Sequence, residues 1–230
     1  MQTVLNPEYK TGIFKQELKN RFLCEVELDG ESTVCYVPSS CHLENFLNLQ
    51  GKRVILVPTQ SKEARTDYAL FAFPYKKNYI VLNTSMANRA VKESINRRKF
   101  SFLGKRKSIF TEHYIEGYKS DIFIQDTNTI IEIKSVLSTE KSALFPTVFS
   151  ERSVKQLEQL HGLLSSGYRV HFIIVSLNPY VKSIDLISDM QFTPLLKSCV
   201  DIGMTISAFS CRIKNGKVCI DKKLPLLTSW

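Results

Sequence analysis

Apolar and polar residues alternate along residues 22–28 and again along 33–37, with Asp29-Gly30-Glu31 between them and Pro38 after them. Period-two alternation broken by a turn-forming pair predicts two half-buried strands. Residues 53–58 and 68–74 are two further apolar runs, and the polar stretch 59–66 between them reads as a loop. Short strands separated by turns, with no convincing helical period, predict a small β-barrel of about 60 residues. The texture changes after Pro74. Residues 80–82 form a brief strand, and Thr84 or Ser85 can cap a helix that turns Met86, Ala87, Ala90, Val91, Ser94 and Ile95 inward. Residues 114–124 and 130–136 read as strands joined by the turn Asp126-Thr127-Asn128-Thr129. Ser150 can cap a second helix, with Val154, Leu157, Leu160 and Leu164 on its buried side and Gly167 as its stop. The nearly continuous apolar strand 169–177 suits a sheet covered on both faces. A third helix (Phe192, Leu195, Leu196, Cys199 and Val200 inward) precedes a last clear strand at 204–210. Helix, hairpin, helix, strand, helix, strand describes a mixed α/β sheet.

The hairpin carries the sharpest chemistry. In SDIFIQDTNTIIEIKSV, strand alternation projects Glu132 and Lys134 from one face and Ile131 and Ile133 from the other. With the turn centred on Asp126-Thr127, Asp121 lies opposite Glu132, at a Cβ separation of about 5 Å. Two carboxylates and an ammonium would then converge beside an apolar sheet. Carboxylates so placed suit a hard divalent cation that polarises a phosphate and activates water, and the lysine can orient that water. The bland alternative is a solvated cross-strand cluster of charges, which the same spacing also allows.

Charge sharpens the picture. The formal net charge is +9. Between positions 76 and 107 stand Lys76, Lys77, Arg89, Lys92, Arg97, Arg98, Lys99, Lys105, Arg106 and Lys107 against Glu93 alone, so this window holds the whole excess. Phe100, Phe102 and Phe110 are interleaved with it. Basic clusters with aromatics among them predict a nucleic-acid surface over a merely solubilising one. The six cysteines form no CxxC pair and read as reduced structural thiols. The apolar run 170–177 is far short of the roughly 20 residues of a membrane span, and residues 1–19 mix charges among their apolar positions. A cytoplasmic protein without a membrane partner is expected.

Beyond these patterns the chain resembles the sugar fermentation stimulation protein (SfsA) family. The stretches that carry the likeness are RFLCEVELDG at 21–30, NTSMANRAVKESI at 83–95, KSDIFI and IIEIKSV within 119–136, FPTVFSER at 145–152 and GMTISAF at 203–209. The resemblance implies an OB-like nucleic-acid-binding barrel over residues 1–78, followed by a restriction-endonuclease-like PD-(D/E)XK domain over 79–230. It implies a phosphodiesterase site using Mg2+ or Mn2+, with Asp121 and Glu132 as metal ligands and catalytic residues, Lys134 catalytic, and Glu93 as the acidic residue of the first helix. Glu93 also has Arg89 and Arg97 four residues to either side, which suits a surface salt bridge. Glu112 falls on a family glutamate without an assigned role. DNA, or RNA, is the implied partner, gripped by Arg89, Lys92, Arg97, Arg98, Lys99, Lys105, Arg106, Lys107 and Lys155. The chain departs from the family pattern where Val154 replaces a glutamine and Thr147 an aspartate; Lys155 or Gln156 can compensate if the helix turns either towards the site. The alternative functions are a non-cleaving DNA-binding regulator of sugar-metabolism genes and a protein-interaction module without nucleic acid.

Overall fold

The computed structural model describes residues 8–39, 41–59, 63–188 and 191–228. Of the loop expected at 59–66, residues 60–62 lie outside these. The first strands are β1 (Lys10–Glu17), β2 (Leu23–Leu28), β3 (Glu31–Tyr36), β4 (Arg53–Pro58) and β5 (Tyr68–Tyr75). They are hydrogen-bonded in the order β3-β2-β1-β4-β5, and a parallel bridge between Tyr36 and Ala69 joins β3 to β5 and closes the five-stranded barrel. Asp29 and Gly30 take φ of 54° and 88°, the mirror-image turn that matches the twist of a tight hairpin. β1 is paired on both sides, and at Gly12 the strands come so close that a Cβ would lie 2.4 Å from Val26 Cγ1 and 2.8 Å from the Glu27 carbonyl oxygen. The carbonyl belongs to the barrel wall and has no rotamer to change. Gly12→Ala is therefore expected to lower stability by about 1–3 kcal/mol through forced backbone movement. Urea unfolding would measure this, and an unchanged midpoint would refute the close approach.

β6 (Asn78–Val81) adds to β5 and leads into α1 (Met86–Ser94). Neither Thr84 nor Ser85 caps this helix with its side chain; Asn83 Oδ1 accepts from the Ser85 amide at 3.1 Å and from its hydroxyl at 2.6 Å. The second sheet is built from β7 (Ile109–Ile115), β8 (Tyr118–Ile124), β9 (Thr129–Val136), β11 (Arg169–Ser176), β13 (Thr205–Lys214) and β14 (Lys217–Leu224), in the order β14-β13-β11-β9-β8-β7. The strand expected over 114–124 is instead the hairpin β7–β8, turned at Glu116-Gly117, both at positive φ. β9, β11 and β13 are parallel, and α2 (Glu151–Ser165) and α3 (Phe192–Asp201) provide the crossovers. The predicted start of α2 holds: Ser150 Oγ accepts from the Ser153 amide. A small parallel sheet of β10 (Ser142–Phe145), β12 (Ser183–Leu186) and β15 (Leu226–Thr228) completes the domain.

Two apolar clusters lie on opposite faces of the six-stranded sheet. On one face Leu157, Leu160 and Leu163 of α2 and Leu196 of α3 cover Ile130, Phe172 and Ile174. On the other, Ile131, Ile133, Ile173 and Phe209 pack with Ala87, Ala90 and Val91 of α1 and run on without a break into the barrel core of Val26, Leu56 and Phe71. Barrel and sheet therefore share one core. Burial of a single large apolar side chain is worth about 1.5–3 kcal/mol, so this shared cluster holds the two parts as a unit. None of the six cysteines forms a disulfide, and Cys24, Cys35, Cys199 and Cys211 are buried. Among the described residues no helix is long and apolar enough to cross a membrane.

Candidate active site

The β8–β9 ladder pairs Ile124 with Thr129, Phe123 with Ile130 and Ile122 with Ile131, and there it stops. The next step of this register would set Asp121 opposite Glu132. Asp121 instead turns its carboxylate to the backbone that the ladder leaves unpaired, and Oδ2 accepts from the Ile133 amide at 2.7 Å. Oδ1 accepts from Asn88 Nδ2 of α1, also at 2.7 Å. Glu132 projects from β9 towards α2 and is 3 % exposed. Its Oε1 accepts from Lys134 Nζ at 2.7 Å, and its Oε2 accepts from the buried Tyr118 hydroxyl. Lys134 Nζ also donates to Gln156 Oε1 of α2 at 2.6 Å. Lys134 thus bonds the Glu132 carboxylate directly and acts on Asp121 through its charge alone. Burial, with the Glu132 charge adding to it, pushes the Asp121 carboxyl up to about 6. Burial beside Glu132 likewise raises the Tyr118 phenol and holds it as a donor.

Two clefts open on this cluster and have Asp121, Arg152 and Gln156 in common. One, of about 560 Å³, lies between the barrel and the sheet, and Ser39, Cys41, Asn88, Glu132 and Lys134 are among its walls. The other, of about 630 Å³, lies on the β7 side and takes in Glu112, Lys119, Glu151 and Lys155. Glu112 stands where the β7–β8 ladder skips the pair facing Asp121. It is held at φ 52° with its carboxylate 2.7 Å from Lys119 Nζ.

Asp121, Glu132 and Lys134 therefore meet, and Lys155 faces the second cleft. Glu93 does not join them. The helix sets positions five apart about 140° around its axis, so Asn88 and Glu93 cannot both face Asp121. Asn88 takes that place, and Glu93 is exposed and paired with Arg89 at 2.9 Å. The basic residues are spread more widely than a single footprint. Lys92, one turn after Asn88, reaches Thr111 Oγ1 on β7 at 3.4 Å. Lys105 pairs with Asp126 at 3.4 Å, and the amides of Lys107 and Ser108 donate to the same aspartate. That corner lies past the far end of β8, at the turn that follows Ile124. Arg106 folds back onto the Gly104 carbonyl, Lys99 onto that of Asp221, and Arg97 and Arg98 are exposed.

Asn88, Tyr118 and Arg152 join the site without having been expected from the sequence. Asn88 and Arg152 come from α1 and α2, and Tyr118 stands on β8 itself, three residues before Asp121, where simple alternation counts it on the opposite face. Among the described residues one group of three metal-capable side chains lies elsewhere, at Glu17, His42 and Glu44. There Glu17 accepts the amides of Leu43 and Glu44 at 2.8 and 2.9 Å and serves as a backbone cap.

Known proteins share this arrangement of domains. Residues 85–217 match the family described as the sugar fermentation stimulation protein RE domain, and residues 18–82 match the SfsA N-terminal OB domain. The chain is 30% identical over 222 residues to a sugar fermentation stimulation protein homolog of Caldanaerobacter subterraneus subsp. tengcongensis, covering 91% of this chain and 93% of the relative. It is 25% identical over 229 residues to a homolog of Natranaerobius thermophilus, covering 94% and 93%. Among solved structures it is similar to that of Pyrococcus furiosus SfsA in complex with Ca2+, with a TM-score of 0.84 and 20% identity over 98% of this chain and 99% of that one.

Proposed function

We propose that this chain, which belongs to the sugar fermentation stimulation protein (SfsA) family, is a divalent-metal-dependent phosphodiesterase that acts on nucleic acid, with Asp121, Glu132 and Lys134 at its centre. The observation that carries the reading is the meeting of two carboxylates at the splayed end of the β8–β9 hairpin, where Lys134 bonds Glu132 and Asp121 is pushed up to about 6. Hard oxygen donors so placed suit Mg2+ or Mn2+, and each carboxylate oxygen keeps a second lone pair beside the hydrogen bond it accepts. The Pyrococcus furiosus protein, solved in complex with Ca2+, supports a divalent ion in a relative of the same fold.

Mg2+ or Mn2+ would be held by Asp121 and Glu132 and would supply the Lewis-acid charge that polarises a phosphate and activates water. The protein's own part is orientation. Asn88 and the Ile133 amide fix the Asp121 carboxylate, and Tyr118 fixes that of Glu132. Lys134, held between Glu132 and Gln156, offers its ammonium to the attacking water or to charge developing on the phosphate. Gln156 thereby contributes the polar contact that Val154, half-buried against the α2–α3 cluster, does not make. Arg152 and Lys155 bring positive charge to the cleft for the flanking phosphates.

A second reading, a DNA-binding regulator that does not cleave, rests on the observation that every carboxylate oxygen at the centre already accepts a hydrogen bond. Labelled single- and double-stranded DNA and RNA, incubated with Mg2+, with Mn2+ and with chelator, separate the two. Metal-dependent cleavage is expected, reduced by at least about 10³-fold in Glu132→Gln. Binding without cleavage under either metal would decide for the regulator.

A further inference from the structure

The barrel's aromatic residues divide sharply by exposure. Phe71 and Phe73 are buried in the core, whereas Phe22 and Tyr36 are 39 % and 41 % exposed. These two rings lie side by side at the start of β2 and the end of β3, with centroids 6.5 Å apart and planes 22° from parallel. The Val37 amide, donating to the Phe22 carbonyl at 2.8 Å, ties the two strand ends together beneath them. Arg21 lays its guanidinium 4.8 Å from the centre of the Phe22 ring. Val34, 45 % exposed, extends the apolar surface along β3. Lys19, Asn20 and Arg21 are exposed in the adjoining turn, and residues 18–24 include no acid.

We propose that Phe22 and Tyr36, with Arg21, form a stacking platform for the bases of single-stranded nucleic acid that leads the strand into the candidate active site. The proposal rests on the nuclease reading above and adds the class of substrate. Flat exposed rings beside a cation suit unstacked bases, because each base offers a π-face to a ring and each linkage a phosphate to a cation. A duplex keeps its base faces covered and gains little from such a surface.

Position supports the assignment. Ser39, a wall of the 560 Å³ cleft, follows Tyr36 by three residues, a reach of about 10 Å. The path is fixed, since the Thr84 amide and hydroxyl both donate to the Pro38 carbonyl at 3.0 Å. Of the acids on the neighbouring surface, Glu27 is paired with Lys15 at 2.5 Å, whereas Glu25, held ionised by Gln16 and Ser32 opposite Val34, bounds the platform along β2. The rival occupant is a second copy of the chain, since β3 meets β5 through only one bridge and leaves much of its outer edge open.

Fluorescence anisotropy in chelator, with a labelled oligothymidine of about 20 nucleotides and a duplex of equal length, tests the platform. Phe22→Ala with Tyr36→Ala is expected to weaken single-strand binding by about 10- to 100-fold and to change duplex binding by less than about 2-fold. Phe22→Tyr with Tyr36→Phe, which keeps the rings, should stay within about 3-fold of the natural protein, and Arg21→Gln should lower the salt slope by about one. Unchanged single-strand affinity in the double alanine variant overturns the platform. So does equal loss on both ligands, or a dimer of the natural protein that the variant dissociates. If metal-dependent cleavage persists beside any of these results, the platform fails alone. If the natural protein neither binds nor cuts nucleic acid, the nuclease reading falls with it.

Discussion

Asp121→Asn is expected to make the metal-free protein more stable above pH 6 while reducing its metal-dependent cleavage by about 10³-fold or more. The folded protein holds the Asp121 proton up to about 6, against an ordinary value of 3.8. A carboxyl whose folded value is raised favours the folded state most at low pH. That advantage is lost as pH rises from about 4 to about 6, and above this the ionised group weighs against folding. A rise of this size would correspond to about 3 kcal/mol if fully expressed, and the half-buried position reduces this to about 1–2 kcal/mol. Asparagine removes the charge and keeps an oxygen for the Ile133 amide. The difference in unfolding free energy between variant and natural protein should therefore be near zero at pH 4 and reach its full value by pH 7, measured in chelator. Adding Mg2+ or Mn2+ should stabilise the natural protein and leave the variant almost unmoved, because an ion that binds only the folded state stabilises by mass action. A variant that gains nothing at pH 7, or gains equally at every pH, would show that the carboxylate is not strained in the folded protein.

A site that weighs against its own fold fits the proposal that a divalent ion supplies positive charge there. The surrounding structure tolerates it because the six-stranded sheet is packed on both faces. The strands carrying Asp121 and Glu132 are set by Ile122, Ile124, Ile131 and Ile133 against the shared core and by Phe123 and Ile130 against the α2–α3 side. Rigid strands with a frayed ladder end give fixed carboxylates beside backbone free to donate, as at Ile133.

The nearness of Asp121 to Glu132 was legible because it follows from one local quantity, the centre of a turn, although the ladder stops one step short of pairing them. Once Asp126-Thr127 is that centre, alternation places both acids on the face of Lys134. The α2 cap at Ser150 was legible for the same reason, being a contact over three residues. Asn88 and Gln156 required knowing how α1 and α2 lie across the sheet, which no spacing within the hairpin encodes, and Tyr118, on β8 itself, sits where simple alternation counts it on the face away from Asp121. Gln156 is the intermediate case: the absence of glutamine at 154 directed attention to the neighbouring polar residues, and the packing of α2 chose between them. The exclusion of Glu93 likewise waited on the rotation of α1, which its buried alanines fix. Other misses had local signals. Glu116-Gly117 and Asn215-Gly216 are both two-residue hairpin turns at positive φ, and the second opens β14, a strand not anticipated after 204–210. β10, β12 and β15 are short, and their mutual pairing depends on contacts across the chain.

Lys134→Met tests the other half of the charge arrangement and should be the most damaging single change to the fold at this site. Glu132 is 3 % exposed, and of its two partners only Tyr118 would remain, a neutral donor to a charged group. Removing one member of a buried ion pair typically costs 3–5 kcal/mol, because the survivor stays desolvated without compensation. With Tyr118 still donating, about 3 kcal/mol is expected, or a fall of about 6–12 °C in the midpoint for a chain of this size. Glu132→Gln should be milder, since Lys134 is 21 % exposed and keeps Gln156. Combining the two substitutions removes both charges and should recover most of the loss, giving a favourable coupling in a double-mutant cycle. A divalent ion should rescue Lys134→Met more than it stabilises the natural protein, because the ion then takes over the charge that Lys134 supplied to Glu132. A cost below about 1 kcal/mol, or additive effects in the cycle, would mean that Lys134 and Glu132 do not act as a buried pair. The result bears on mechanism as well as stability. A lysine held this firmly by Glu132 and Gln156 presents its ammonium at one position, as a group that orients water or steadies a phosphate must.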